Sequence, residues 1–271
     1  MTDDSTSPTN TERSIELSIE VPGTPEAVWE AIATGPGITS WYVPHRVEPR
    51  IGGTMSASFG PGMDVTGTVD EWSPPERVRF GPGADGPGLA FEWTIEANDD
   101  RSTCTVRLVN SGFGSGADWD DQYDGMTEGW RLFLANLHAH LTNFAGQQAT
   151  ASLPMAMWHG PAPDAWDRLT TELGLPQTPT VGEYVVADAG HGLQLGGNVL
   201  STHPTHLFLL IDRPCPGTAF AAVEGTGDIV SVSIWSYLYG EPGTAAAATD
   251  TARWSDWLAA RGVSDESEAG A

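Results

Sequence analysis

Residues 14–22 read SIELSIEVP, with Ile15, Leu17, Ile19 and Val21 on alternate positions and polar residues between them. That period of two predicts a half-buried antiparallel strand. The period then changes. In TPEAVWEAIATGPGITSWYVP (24–44), Thr24 suits a helix N-cap and Pro25 the first helical position, and Val28, Ala31 and Ile32 fall at helical spacing. Gly35 is expected to supply a left-handed C-cap, and Pro36 to stop the helix. A second short helix carrying Ile38 and Trp41 follows the corner. Alternation returns in GTMSASF (53–59), DVTGTVDEW (64–72), RVRF (77–80), LAFEWTIEA (89–97) and STCTVRLVN (102–110). Turn residues separate these runs, as a meander of hairpins requires.

The clearest helical pattern lies in SGADWDDQYDGMTEGWRLFLANLHAHLTNFAG (115–146). Trp119, Tyr123, Met126, Trp130, Phe133, Leu137, Leu141 and Phe144 recur every three or four positions, predicting one apolar stripe along a long helix. Ser115 and Asp118 fit a capping box, and Gly146 a stop. Strand, broken helix pair, strand meander and long helix together predict an α+β fold. In it a curved antiparallel sheet of six or seven strands grips a long C-terminal helix. The corner after Gly35 would let Trp41 and Tyr42 seal one end of the cupped sheet.

The remainder repeats this order in shortened form. APDAWDRLT (162–170) echoes TPEAVWEAI (24–32), and GNVLSTHPTHLFLL (197–210) echoes GTVDEWSPPERVRF (67–80). TARWSDWLAARG (251–262) echoes TEGWRLFLANLH (127–138). The expected organisation is a tail over 1–12, a first domain over 13–147, a second, abbreviated copy over 148–264, and a tail over 265–271. Both tails are expected to be disordered.

Composition narrows the function classes. The formal charge is -24, and all 12 basic residues are arginine. Such a surface repels nucleic acid and anionic lipid, and solvation is its simplest role. The two cysteines, Cys104 and Cys215, are too few for a disulfide framework. The amino terminus lacks a signal-peptide pattern and no run has the length of a membrane helix, so a soluble cytoplasmic protein is expected.

The stretches PEAVWEAIATGPGITSWY, GTVDEWSPPERVRF, FEWTIE, TCTVRLVNSGFG and GWRLFLANLHAHL resemble, in order and spacing, the SRPBCC superfamily (START-like, Bet v 1-like, helix-grip). The resemblance is to the branch of heat-shock-protein ATPase activator homologues and covers residues 14–146. It implies a sheet gripping a helix around an apolar cavity. Members bind lipids, polyketides or hormones, cyclise polyketides, or act as co-chaperones in the stress response.

The candidate ligand-binding residues are Trp41, Met55, Phe59, Phe91, Trp93, Trp130, Phe133, Leu134 and Leu137, set against the plain alternative that they fill a core. No catalytic, metal or cofactor site is expected. His138 and His140 stand two apart on a helix, so their rings diverge. Asp188 and His191 in DAGHG read as a turn without a nucleophile. His45 lies near the expected cavity mouth, where a proton-transfer role competes with a plain surface histidine. Glu92 and Glu96 alternate with apolar residues and should be solvated. The favoured function is non-catalytic binding of a small apolar or aromatic molecule. A polyketide cyclase or aromatase and a co-chaperone that activates a heat-shock-protein ATPase are the alternatives; a protein partner and the oligomeric state stay open.

Overall fold

The computed structural model describes residues 13–60, 62–83, 88–99, 102–114 and 117–263, with the side chains of 117–122 and 124 left out. The expected tails, and Ser115 and the Asp118 side chain of the expected capping box, lie outside what is described. The first half runs β1 (Arg13–Pro22), α1 (Pro25–Ala33), α2 (Gly35–Thr39), β2 (His45–Val47), β3 (Thr54–Ser58), β4 (Asp64–Ser73), β5 (Arg77–Gly81), β6 (Ala90–Ala97), β7 (Thr103–Phe113) and α3 (Ala117–Asn143). Its sheet is antiparallel with seven strands in the order β1-β7-β6-β5-β4-β3-β2. The three-residue β2, too short to show a period, adds an edge strand beyond those read from alternation.

The outer face of this sheet is wet. Glu16, Glu20 and Glu96 are exposed. Arg77 bridges Glu71 and Glu92 at 3.3 and 2.8 Å, and Arg107 meets Glu16 at 2.7 Å. Such exposed pairs contribute little stability, and their role is solvation. The inner face carries Ile15, Val21, Val69, Val78, Trp93, Val106 and Leu108, all buried.

The corner between α1 and α2 is built differently from the expectation. Gly35 is not left-handed; it is the first residue of α2, and Thr34 in extended conformation (φ -98, ψ 148) serves both helices. The Thr34 hydroxyl accepts from the Gly37 amide at 3.1 Å and donates to the Glu30 carbonyl at 2.7 Å. The glycines are needed for close approach: a Cβ on Gly37 would stand 1.9 Å from the Glu30 carbonyl oxygen.

The second half runs β8 (Ala149–Ser152), β9 (Met155–His159), α4 (Ala162–Glu172), β10 (Tyr184–Asp188), β11 (Gln194–His203), β12 (His206–Arg213), β13 (Gly217–Glu224), β14 (Ile229–Tyr239) and α5 (Gly240–Ala259). β14 pairs with both β8 and β9 in one unbroken register, Ser236 opposite Ser152 and Ser233 opposite Met155. The two are therefore pieces of one edge strand, equivalent to β1 and interrupted where Pro154 lacks an amide donor. The second copy thus has a single helix where the first has two, and no counterpart of β2. Its α5 has 20 residues against 27 in α3.

The way the halves meet follows from strand alternation. In the second sheet, Leu207, Leu209, Ala219, Val223, Val230, Val232, Ile234 and Leu238 pack with Leu169, Trp254, Trp257 and Leu258 on the side of α4 and α5. The opposite face presents Phe208, Phe220, Tyr237 and Tyr239 to α3, where Leu132, Ala139 and Phe144 complete a separate core. Helix α3 is consequently buried on two sides. Trp130, Leu134, Leu137 and Leu141 face the first sheet's core, and Leu132 and Ala139 face the back of the second sheet.

A buried polar chain crosses this seam. Asn136 donates to the Trp41 carbonyl at 2.8 Å and accepts from the Thr218 hydroxyl at 2.6 Å. The Tyr239 hydroxyl donates to the Ser40 carbonyl at 3.1 Å and lies 2.7 Å from His140 Nδ1. A carbonyl can only accept, so the tyrosine proton points to Ser40 and His140 Nδ1–H donates to the tyrosine oxygen. Tyr239 also stacks on Phe144 with ring centroids 3.8 Å apart.

Two outcomes are expected. Tyr239→Phe removes the hydroxyl that joins two buried partners, and chemical denaturation should show a loss of about 1–3 kcal/mol. Burial also lowers the pKa of His140 from 6.5 to about 4, so the folded state prefers neutral imidazole. Stability from this site is complete above the unfolded pKa and is lost as pH falls from about 6.5 toward 4. Denaturation curves at pH 7 and pH 4.5 should show a shallower acid loss for His140→Gln than for the parent. Equal slopes would refute the assignment.

Candidate functional site

The concave side of the first sheet does not close completely on α3. A cavity of about 310 Å³ remains between β3–β6, the helix corner and the first turns of α3 with described side chains. Met55 and Ala57 enter from β3 on one pleat phase, Val65 and Thr66 from β4, Phe80 from β5, and Phe91 and Trp93 from β6. Ile32, Ile38, Trp41, Tyr42 and His45 close one end, and Met126 and Trp130 form the helix wall.

Aromatic edges set the cavity's shape. Trp93 meets Trp41 and Trp130 edge-on at centroid distances of 5.7 and 5.6 Å. Tyr42 is the hub, lying 5.0 Å from Trp130, 4.5 Å from Phe133 and 6.0 Å from Phe59. The indoles are pinned by hydrogen bonds. Trp41 Nε1 donates to the Ala31 carbonyl at 2.9 Å, and Trp130 Nε1 to Asn110 Oδ1 at 3.2 Å. Asn110 in turn donates to the Ala90 carbonyl at 3.1 Å, so its amide orientation is fixed.

No charged side chain lines the cavity among the described residues. The polar side chains are those of Tyr42, His45 and Thr66. His45 Nδ1 lies 2.7 Å from the Val43 carbonyl, which assigns the proton to Nδ1 and leaves Nε2 as an acceptor. Burial lowers the His45 pKa to about 4, only partly countered by that bond, and burial raises the Tyr42 pKa above its usual value. Both are neutral near pH 7, so the described lining carries no ionised group.

Of the sequence candidates, Trp41, Met55, Phe59, Phe91, Trp93 and Trp130 come together around this cavity. Phe133 turns instead into the seam, packing on Phe220 and Trp235 as well as Tyr42. Leu134 and Leu137 are fully packed in the core where α3 lies against the sheet, outside the cavity wall. Sequence reading missed Tyr42 and Thr66 as lining residues; the position of Tyr42 beside Trp41 at the helix corner was the available signal. His138 is exposed and His140 buried, so the two diverge. Asp188 accepts from the Gly190 amide and from Gln194, both at 2.8 Å, and His191 sits in the left-handed turn at φ 54. Cys104 and Cys215 are buried and form no disulfide with each other, and the Cys104 thiol donates to the Gly23 carbonyl at 3.3 Å. No helix among the described residues is long and apolar enough to cross a membrane.

A curved antiparallel sheet gripping a long helix around an apolar cavity defines the SRPBCC helix-grip class. Within it, residues 22–142 match the family described as "Activator of Hsp90 ATPase homolog 1-like protein". No curated protein matches the chain. Among solved structures, the chain is similar to protein MLL2253 of Mesorhizobium loti, with 20% identity, a TM-score of 0.43, and 49% of this chain against 98% of that one. It is also similar to the Aha1 dimer from Colwellia psychrerythraea, with 19% identity, a TM-score of 0.41, and coverage of 48% and 96%. A di-domain ARO/CYC, BexL of the BE-7585A biosynthetic pathway, matches over 93% of this chain and 99% of its own, with 15% identity and a TM-score of 0.41. Identities this low do not carry function across.

Trp130 joins the cavity wall to the core, so truncation acts on both. Trp130→Ala should cost about 3–5 kcal/mol by chemical denaturation, as for other buried aromatics. An unchanged midpoint would place its indole in solvent and refute the register of α3.

Proposed function

We propose that the first half of the chain binds a small, uncharged apolar or aromatic molecule in its cavity and does not transform it. The observation that carries this reading is the lining: among the described residues, carbon on nearly every side, no ionised group, and three polar side chains to orient a guest. A volume of about 310 Å³ suits a molecule of two or three rings.

A second reading, a cyclase- or aromatase-type enzyme, draws on one specific arrangement. The neutral His45 ring lies 5.5 Å from the Tyr42 ring in the cavity wall, a base and an acid that could exchange protons with a bound guest. The family name supplies a third reading, activation of the Hsp90 ATPase, supported by the family match alone.

The test is a titration with 1-naphthol followed by tryptophan emission, because Trp41, Trp93 and Trp130 line the cavity. Saturable quenching with a negative heat-capacity change and little dependence on salt is expected. Affinity should stay level above about pH 5 and fall as His45 protonates near pH 4, since the charged imidazole disfavours an apolar guest. Quenching that never saturates would overturn the binding reading. Release of a chemically altered guest would favour the enzymatic one.

A further inference from the structure

A second concavity of about 470 Å³ lies in the seam between the halves. Its walls come from both copies of the repeat: Phe59 and Val65 from the first, Phe133 from α3, and Phe220, Ser231 and Trp235 from the second sheet. The carboxylates of Asp64 and Glu224 are also on the lining, where they disfavour an anionic guest. Phe59 and Val65 also line the first cavity, so the two spaces share a wall. That wall is thin and aromatic, since Tyr42 touches Phe59 on one side and Phe133 on the other. Phe133 then meets Phe220 and Trp235 at 5.9 and 5.8 Å.

One polar group in this cleft has no partner. Trp235 Nε1 is buried and makes no hydrogen bond among the described residues. A buried N–H left unpaired carries a desolvation cost that a protein normally avoids, and an acceptor on a bound molecule would remove it. By contrast, the indoles of Trp41 and Trp130 in the first cavity are both paired.

We infer that the cleft is the second compartment of one elongated binding site, whose guest is a multi-ring, uncharged molecule with a carbonyl or ether oxygen for the Trp235 N–H. One end fills the first cavity and the oxygen-bearing end lies in the seam, past the Tyr42 and Phe133 edges. This rests on the binding reading above and deepens it by naming the ligand class. It also gives the second half a role: its sheet supplies the donor and half of the wall. Ser231 and the half-buried face of Trp235 stand on β14, so the compartment exists only where the two halves dock.

Calorimetric titrations of the full chain with two probes test the inference. The short probe is 1-naphthol. The long probe is a 1-naphthyl ether of anthraquinone, which adds rings and two carbonyl acceptors. The long probe should bind at least tenfold more tightly. Trp235→Phe keeps a ring and removes the donor, so it should weaken the long probe about fivefold and leave the short one unchanged. Its thermal midpoint without probe should not fall, because no protein partner is lost. Ser231→Phe, which fills the cleft, should bring the long probe down to the affinity of the short one. Equal affinities for both probes, or equal losses for both in Trp235→Phe, would overturn the second compartment while leaving the first cavity's role intact. A short probe that fails to bind, with a long probe that binds and responds to Trp235→Phe, would instead overturn the first cavity's role and uphold the cleft.

Discussion

Everything in this molecule is hung on a helix gripped from two sides. Helix α3 is gripped by its own sheet through Trp130, Leu134, Leu137 and Leu141 and covered by the next sheet through Leu132 and Ala139. A surface helix needs one apolar stripe; a helix between two sheets needs two, and it must satisfy any polar group caught between them. Asn136 and His140 are those groups, and each has a partner on an element other than α3. The seam is therefore specified by hydrogen bonds as well as by apolar area. A sliding or rotated arrangement would leave buried donors unpaired, at a cost comparable to a large core truncation.

This double burial explains which parts of the fold were legible in the sequence. The first sheet was, almost strand for strand, because one of its faces is wet and alternation is clean. The helix was legible in position but not in its second face. Asn136 and His140 are polar, and hydropathy alone assigns them to solvent, whereas here they are interior hydrogen-bonding groups. The second sheet held the missing clue in strands such as HLFLLI in β12, apolar on consecutive residues, the mark of a strand buried on both faces. The cavity list was legible where strand phase decides it, at Met55, Phe91 and Trp93. It was less so on the helix, because a helix crossing a curved sheet borders the cavity over only part of its length. Leu134 and Leu137 lie beyond that part, packed in the first sheet's core.

The tandem repeat has been put to unequal use. In the first copy the sheet's concave side stays partly open and its convex side is charged. In the second the concave side is packed by Trp254, Trp257 and Leu258, and the convex side is aromatic. The second copy has thus exchanged an outer face for an interface. The loss of β2 and α2 counterparts agrees with this, since those elements in the first copy frame the cavity end with Trp41, Tyr42 and His45.

The chain's charge and the cavity's neutrality act on a guest at different distances. The formal charge of -24 repels anions over roughly a Debye length, about 8 Å at physiological salt, and added salt weakens that effect. Among the described residues no ionised side chain lines the cavity, and a charged guest would give up its hydration with nothing in return from them, a cost that salt does not relieve. Burial keeps Tyr42 and His45 neutral by the same physics, so the site cannot supply a compensating charge near pH 7. Neutral aromatic molecules meet neither barrier. For the binding proposed above, selection would arise from what the lining withholds, with shape and the hydrogen-bonding edges of Tyr42, His45 and Thr66 left to discriminate among guests.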